Sequence, residues 1–559
     1  MKKIILILSM ICMTYVHASD LGKGRSGDQL FVHHAPDPVN TRTGNFFLPL
    51  QDYYLSCYQY PLEVYRSYNS FSTKNGPFGH GWTFNYDIQI IIGQEGSMKV
   101  VEADGYVNEY MPVENKYQSQ KDIIEVILQK KKEEDVAYTK NKDGKGDAFY
   151  ADMKAKLLND PAYYQSVRDR YIKISNVSPS GRYVSQNRGT SYLTKKGNGF
   201  VRENEIGQIE SYNEKGFMVK IEDRNGNSLR FTYDSLSRLN RVYDDCSNHI
   251  EISYSANNKI IGIQDSFQRK LRYSYDDKLR LISFTGLDQM TMKYDYDAFN
   301  RMTSITFADG SNTIISYTKN GLVSSQKGPG TKSSTFEYGK SGNESWTKVT
   351  EQGQKTTEYR YMDIENKIMV KEPSGKTTTT VLSSCCGKPI SIKSSDGIND
   401  IFEYDASGNL SSRTNAAGQK TSFKYEPRFQ AISDIEESSG KTFRYRYDRK
   451  GNLVFAQMIE GTRKEFLKID YEEHGKIRHM IDHLGTEIFF TYSTLGKHQS
   501  IVKKANNQIK AQVTFAYDAL GQSTGTTFIP NTPTTPTEIQ TTLQSFMTML
   551  ELTGIDFEL

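Results

Sequence analysis

Few residues in this sequence stand at the spacings that chemistry needs. His479-Met480-Ile481-Asp482-His483 sets two histidines four positions apart, the separation at which helix-borne histidines chelate zinc when a glutamate follows the first. That glutamate is absent, and the segment reads as β-hairpin, where positions i and i+4 share a face but stand too far apart to hold one ion. Asp482-His483-Leu484-Gly485 instead matches the turn Asp223-Arg224-Asn225-Gly226, and no metal site is assigned. Cys385 and Cys386 are adjacent, with Lys388 placed to favour a thiolate. On geometry a thiol pair in a variant turn is favoured over a strained vicinal disulfide, and with no general base nearby no oxidoreductase is assigned. The sequence contains no phosphate loop ending in Lys-Ser/Thr, and no nucleophile elbow is assigned. The expectation is a protein that is not an enzyme and needs no cofactor. What the chain has in abundance is rings, 37 Tyr and 27 Phe. A ladder of such rings could bind sugars or a peptide, or could simply pack and bond its hydroxyls between neighbouring elements.

The elements that carry the rings repeat. Tyr212, Tyr233, Tyr254, Tyr275, Tyr296, Tyr317, Tyr338 and Tyr359 fall every 21 residues, and the beat resumes at Tyr404, Tyr425, Tyr447, Tyr471, Tyr492 and Tyr517. In the unit from Tyr404 to Tyr425, Tyr-Asp opens a turn closed by Gly408-Asn409, a short strand follows, and Asn415 to Gly418 forms a second turn. Thr421, Phe423 and Tyr425 then alternate along a second strand. Leu229-Phe231-Tyr233, Leu271-Tyr273-Tyr275 and Ile488-Phe490-Tyr492 alternate in the same way, with Arg230 and Arg272 between them. Each unit is therefore a β-hairpin with one apolar, aromatic face and one charged face. Propeller blades would make odd and even units differ, which they do not, so a continuous coiled sheet is expected.

At about 150 residues per domain, 559 residues would make three or four domains, but here the length mostly counts hairpins. Hydrophobic residues are 36% and mean hydropathy is −0.63, which excludes a membrane-spanning protein, while 12% aromatic residues argue against disorder. With 70 Lys+Arg against 66 Asp+Glu, there is no footprint for nucleic acid. Lys2 and Lys3, the apolar run Ile4 to Cys12 and Val16-His17-Ala18 before Ser19 read as a secretory signal peptide. Ile11 stands where a lipid-anchored Cys12 would need a small residue. The expected location is periplasmic, cell-surface or extracellular. The remaining Cys57, Cys246, Cys385 and Cys386 are too few for a disulfide framework.

The consensus Tyr-Asp-x-x-Gly-Asn/Arg-Leu, seen at Tyr404-Asp405 with Gly408-Asn409-Leu410 and at Tyr447-Asp448 with Gly451-Asn452-Leu453, closely resembles the RHS (rearrangement hot spot) or YD repeat. The segment with Thr43-Gly44-Asn45-Phe46, Tyr65-Arg66-Ser67-Tyr68-Asn69-Ser70 and Gly76-Pro77-Phe78-Gly79-His80-Gly81-Trp82 resembles the domain that precedes the repeats in bacterial RHS proteins. The resemblance implies a long sheet spiralling into a hollow shell, as in polymorphic toxins, insecticidal toxin complexes and teneurins. The family's Asp-Pro-x-Gly closing motif is missing, so none of its self-cleavage residues carries over. The implied partners are a separately encoded polypeptide cargo or a cell-surface glycan or protein. A carbohydrate- or cell-surface-binding adhesion module is the alternative function.

The expected layout is a signal peptide at 1–18, an N-terminal β domain at 19–111, a helical insertion at 112–175, repeats at 176–528, and a Pro/Thr linker with a terminal helix at 529–559. In the insertion, Ile123, Ile124, Ile127 and Leu128, then Met153, Leu157 and Leu158, predict two amphipathic helices joined near Gly144-Lys145-Gly146. Lys130-Lys131-Lys132 precede Glu133, Glu134 and Asp135 and read as a solvated helix face. In the tail, Ile539, Leu543, Phe546, Met547 and Leu550 predict one apolar stripe, which plugs the open end of the sheet or docks on a partner; plugging is favoured because a lone helix of this length is marginal in water.

Overall fold

The computed structural model describes residues 39–550 except 93–96, 104, 118, 186–190, 205–206, 331–332, 353–354, 384–386, 531 and 533. The leader 1–18 and the pair Cys385–Cys386 thus lie outside the described residues. The chain divides into two compact units. One comprises the residues up to Asp87, Ala103–Gly105 and those from Glu222 onward; the other comprises Ile88–Glu102 and Tyr106–Ile221.

In the larger unit, each strand from Ser228–Tyr233 to Ser523–Ile529 pairs antiparallel with the next. The protein is all-β in this part, built of successive hairpins. The tyrosine register is explained by the turn that follows each Tyr. The Asp405 carboxylate accepts the backbone N–H of Ser407 at 2.9 Å and of Asn409 at 2.8 Å, closing a four-residue turn. The fourth position is left-handed, at φ 81° for Gly408 and 64° for Asn300, a conformation that Gly and Asn adopt most readily, although Ser237 and Leu279 also take it in equivalent turns. The strand slips by one residue at the Tyr, as at Ser253/Tyr254 and Glu403/Tyr404. Tyr338 and Tyr359 keep the spacing but are followed by Gly339 and Arg360, which offer no turn-closing side chain, and there the strands run straight through as Ser333–Ser341 and Lys355–Met362.

Residues 39–87 add a three-stranded sheet of Phe47–Leu55, Leu62–Asn69 and Trp82–Phe84. The helix Thr534–Leu550 begins inside the Pro/Thr stretch, because Pro536 sits in its first turn, where a missing N–H costs nothing. Its buried stripe is Ile539, Leu543, Phe546, Met549 and Leu550; Met547 is only half-buried.

The smaller unit holds strands Gln89–Ile92 to Ile209–Tyr212 and three helices, Gln120–Thr139, Asp147–Asn159 and Pro161–Tyr171, plus the short turn Ile174–Val177. Two long helices were expected. The third exists because Asp160 caps it, accepting from the N–H groups of Ala162 and Tyr163 at 3.0 Å, with Pro161 preset for the first helical position. Ile123, Ile124, Ile127, Met153, Leu157 and Tyr164 form the shared core, whereas Leu158 is exposed. The three lysines are used internally: Lys130 donates to the Tyr171 carbonyl at 2.9 Å, Lys131 pairs with Asp135, and Lys132 lies 3.7 Å from Asp147. Among the described residues no helix is long and apolar enough to cross a membrane.

Candidate functional site

The feature most able to act on something else is the apolar face of the repeat sheet, so its construction and its cover matter. The register tyrosines tie each strand to the one before it. The hydroxyls of Tyr254, Tyr275, Tyr296 and Tyr317 donate to the carbonyls of Leu239, Ile260, Leu281 and Met302 at 2.7–2.8 Å, each 15 residues back on the preceding strand. Tyr404, Tyr425, Tyr447 and Tyr492 make the same bond to Pro389, Leu410, Ile432 and Ile477; Tyr471 and Tyr517 reach Leu453 and His498 across longer hairpins. Burial raises the hydroxyl pKa of Tyr254 and Tyr275, keeping them neutral donors. In the Asp-to-Arg units the arginine bonds its own turn and covers the next ring: Arg301 lies 2.6 Å from Asp297 with its guanidinium 4.7 Å from the Tyr317 centroid. In the smaller unit Tyr212 instead donates to Glu210, in a buried network with Arg202 and Glu102. Tyr338 keeps a buried hydroxyl with no hydrogen-bond partner among the described residues.

The N-terminal segment lies on this face. Val323 donates to the Gly44 carbonyl at 2.8 Å, Ile260 to Pro77 at 2.9 Å, and Thr41 meets the Tyr361 hydroxyl at 2.7 Å. At its centre Arg66 is 1% exposed. Its Nε is 2.5 Å from Asp52, its Nη2 donates to Tyr294 at 2.7 Å, and its guanidinium stacks 4.4 Å from Trp82 and 4.8 Å from Phe284. Burial alone would pull the Arg66 pKa down, but the Asp52 charge reverses this and holds it above the ordinary value. Tyr273 adds a donor to Asp52 at 2.9 Å, and Trp82 donates to Tyr296 at 3.0 Å. The Gly-Pro-Phe-Gly-His-Gly-Trp motif makes this approach possible: Gly79, at φ +92°, would set a Cβ 2.6 Å from the Leu279 carbonyl oxygen.

Cover of the face changes along the sheet. The row Tyr361–Ile368–Thr380–Ile392–Asp400 runs across paired strands on one side. Tyr361, Ile368, Asp400 and Phe402 are buried, whereas Thr378, Thr380, Ile392 and Arg413 are half-buried. Asp400 pairs with Arg413 at 2.8 Å. From Ile432 on, the face is buried again, beneath the C-terminal helix: Ile539, Leu543 and Phe546 share a core with Met458, Leu467, Ile469 and Phe490, and Tyr445 donates to the Met549 carbonyl at 3.1 Å.

The sheet also returns on itself. Asn225 and Asn452, 227 residues apart, exchange amide bonds at 3.1 and 3.0 Å, and Asn227 donates to the His474 carbonyl at 2.9 Å. Turns so far apart in a meander meet only if the intervening sheet curves round. Tyr58 stacks on His474 with centroids 3.9 Å apart. Next to it, Cys57 is disulfide-bonded to Cys246 across 189 residues, Cα to Cα 5.8 Å. The cysteine count did not point to this bond, and nothing local in sequence could have.

His479 and His483 do not converge. The His479 ring nitrogens face Asp470 at 3.2 Å and Glu487 at 2.9 Å, while the His483 backbone N–H donates to the Phe466 carbonyl. Asp482 and Asp223 close equivalent turns.

Two family descriptions match the sequence: a domain of unknown function (DUF6531) over residues 36–110, and the teneurin YD-shell over 242–381 and 387–528, about half of the chain. The chain belongs to the teneurin YD-shell family. It is an RHS/YD-repeat protein, and its repeat sheet is a scaffold of the shell-forming type. No curated protein matches it. Among solved structures it is similar to the TcdB2-TccC3-Cdc42 crystal structure, with TM-score 0.44 and 11% identity over 61% of this chain and 22% of that one. It is also similar to the Photorhabdus luminescens Tc holotoxin pore, with TM-score 0.38 and 10% identity over 84% of this chain and 30% of that one. The chain thus spans about a fifth to a third of the length of those chains.

Proposed function

We propose that this chain is an exported, non-catalytic scaffold whose sheet forms a β-shell that encloses a separately encoded polypeptide. The unequal cover of one continuous face carries the reading. The N-terminal segment occupies one end of that face and the terminal helix the other, and between them strands Thr377–Leu382 to Leu410–Thr414 keep Thr378, Thr380, Ile392 and Arg413 only half-buried beside the buried Asp400 and Phe402. Hydroxyls, a charged pair and scattered apolar groups suit an extended chain that brings its own backbone donors and acceptors. The Cys57–Cys246 bond supports export, since disulfides persist in oxidising compartments. The test is to purify the chain with the products of its adjacent genes and digest it with protease before and after unfolding. Enclosure expects a second polypeptide that resists digestion only while the shell is folded; its absence counts against the reading.

A second reading, adhesion to a surface glycan, is favoured by the opposite face of the last hairpins. There Phe455 and Phe466 stack 6.0 Å apart and Phe489 lies 4.4 Å from His479, where earlier strands carry Arg230, Glu251, Arg272 and Lys293. A glycan array with no signal above that of Phe466→Ala/Phe489→Ala would dismiss it.

A further inference from the structure

The turn that carries Cys246 holds more than a disulfide. Among the described residues, Cys57, Asp244 and Cys246 are the only group of three metal-capable side chains whose ligand atoms all lie within 4.8 Å of one another. Cys57 and Asp244 are buried, at 2% and 6% exposure. Asp244 is aimed by its own turn: Oδ1 accepts the N–H of Cys246 at 2.9 Å and of Asn248 at 2.7 Å, and Oδ2 takes one further bond, from Asn248 Nδ2 at 3.1 Å. The carboxylate is therefore fixed beside the two sulfurs and retains lone pairs towards them.

We propose that, when the disulfide is reduced, Cys57, Cys246 and Asp244 form a binding site for a thiophilic divalent cation of the zinc type. Two thiolates and a carboxylate, with water in the fourth position, are a fitting tetrahedral donor set for zinc. Thiolates at about 2.3 Å from one ion stand about 3.8 Å apart, a separation that side-chain rotation accommodates between Cα atoms 5.8 Å apart. The chemistry balances. A dithiol or phosphine reductant supplies two electrons, two protons convert the disulfide to two thiols, and zinc binding releases both protons. The ion then links the same two points as the disulfide does, the loop after strand Phe47–Leu55 and the turn before strand His249–Tyr254. The N-terminal segment would thus stay fastened to the sheet in either redox state.

The experiment uses the full chain carrying Cys12→Ser, Cys385→Ser and Cys386→Ser, so that no other thiol competes. After phosphine reduction and metal removal, cobalt(II) is titrated as a spectroscopic stand-in for zinc. The expected result is one cobalt per chain with thiolate-to-cobalt charge-transfer absorption, displaced by zinc and absent from the oxidised chain. Asp244→Asn should weaken cobalt binding by about tenfold or more. That variant keeps its turn, because Asn415 already closes an equivalent one, accepting from Ala417 and Gln419 at 3.0 Å. No charge-transfer band in the reduced chain, the same band in the oxidised chain, or binding that Asp244→Asn leaves unchanged would each overturn the proposal.

Discussion

Replacing Arg66 by Met tests how the N-terminal segment is held to the sheet. The side chains of Arg66 and Asp52 are 0% and 2% exposed and 2.5 Å apart. Removing the cation leaves a buried carboxylate with Tyr273 as its remaining charge-stabilising donor and deprives the Tyr294 hydroxyl of its donor. Breaking a buried pair in this way costs about 3–5 kcal/mol. Because a chain of two units need not unfold in one step, the cost is best read locally, as hydrogen exchange of the amides in Leu62–Asn69. At 1.36 kcal/mol per decade, exchange should accelerate by about 10²- to 10⁴-fold if these amides open with the segment. Adding Asp52→Asn removes the orphaned charge and should restore at least about tenfold of the protection, since the two effects are not additive across a direct contact. Acceleration of less than about tenfold in the single variant, or a double variant no better than the single one, would refute the claim that this pair organises the docking.

The hydroxyl ladder predicts a graded series. Tyr425→Phe, which loses one bond to Leu410, should cost about 1 kcal/mol, and Tyr296→Phe, which also leaves the Trp82 N–H without its acceptor, about 2–3 kcal/mol in chemical unfolding. His498 is held down to about 4 by burial and by Lys476. Its folded pKa is depressed, so the unfolded chain binds the proton first, and stability falls as pH drops from about 6.5 to about 4, by at most about 3 kcal/mol. Thermal unfolding of His498→Asn should lose this part of the acid slope, and a slope equal to the parent's would contradict the assignment. Leu543→Asp, at a position 2% exposed under the terminal helix, should detach that helix and raise exchange in Leu453–Glu460 and Arg463–Tyr471, whereas an exposed control such as Gln544→Asp should not.

How much of this was legible in the sequence depends on the range of the interaction. The hairpins were readable because turn and register are local: the Asp after the Tyr, the left-handed fourth residue and the period-2 alternation all lie within one unit. The same locality explains why Tyr338 and Tyr359 keep the spacing yet form no YD turn, for the residue that follows each decides. The third helix was signalled by Asp160-Pro161. The Cys57–Cys246 bond, the Arg66 cluster and the Asn225–Asn452 closure join residues 189, 228 and 227 positions apart, and no spacing rule reaches so far. Arg66, Phe78 and Trp82 could be recognised as a motif, but their burial against Tyr273 and Tyr294 follows only from the folded sheet.

In the proposed shell the apolar face of the repeat sheet is turned inward around a space able to hold a polypeptide. Electron cryomicroscopy of the purified full chain tests it most directly. The expected result is a coiled wall around a hollow, with the segment up to Asp87 and the terminal helix seated on the inner surface and weaker density for any cargo against strands Thr377–Leu382 to Leu410–Thr414. A filled rod, or a disc with a central channel, would contradict it.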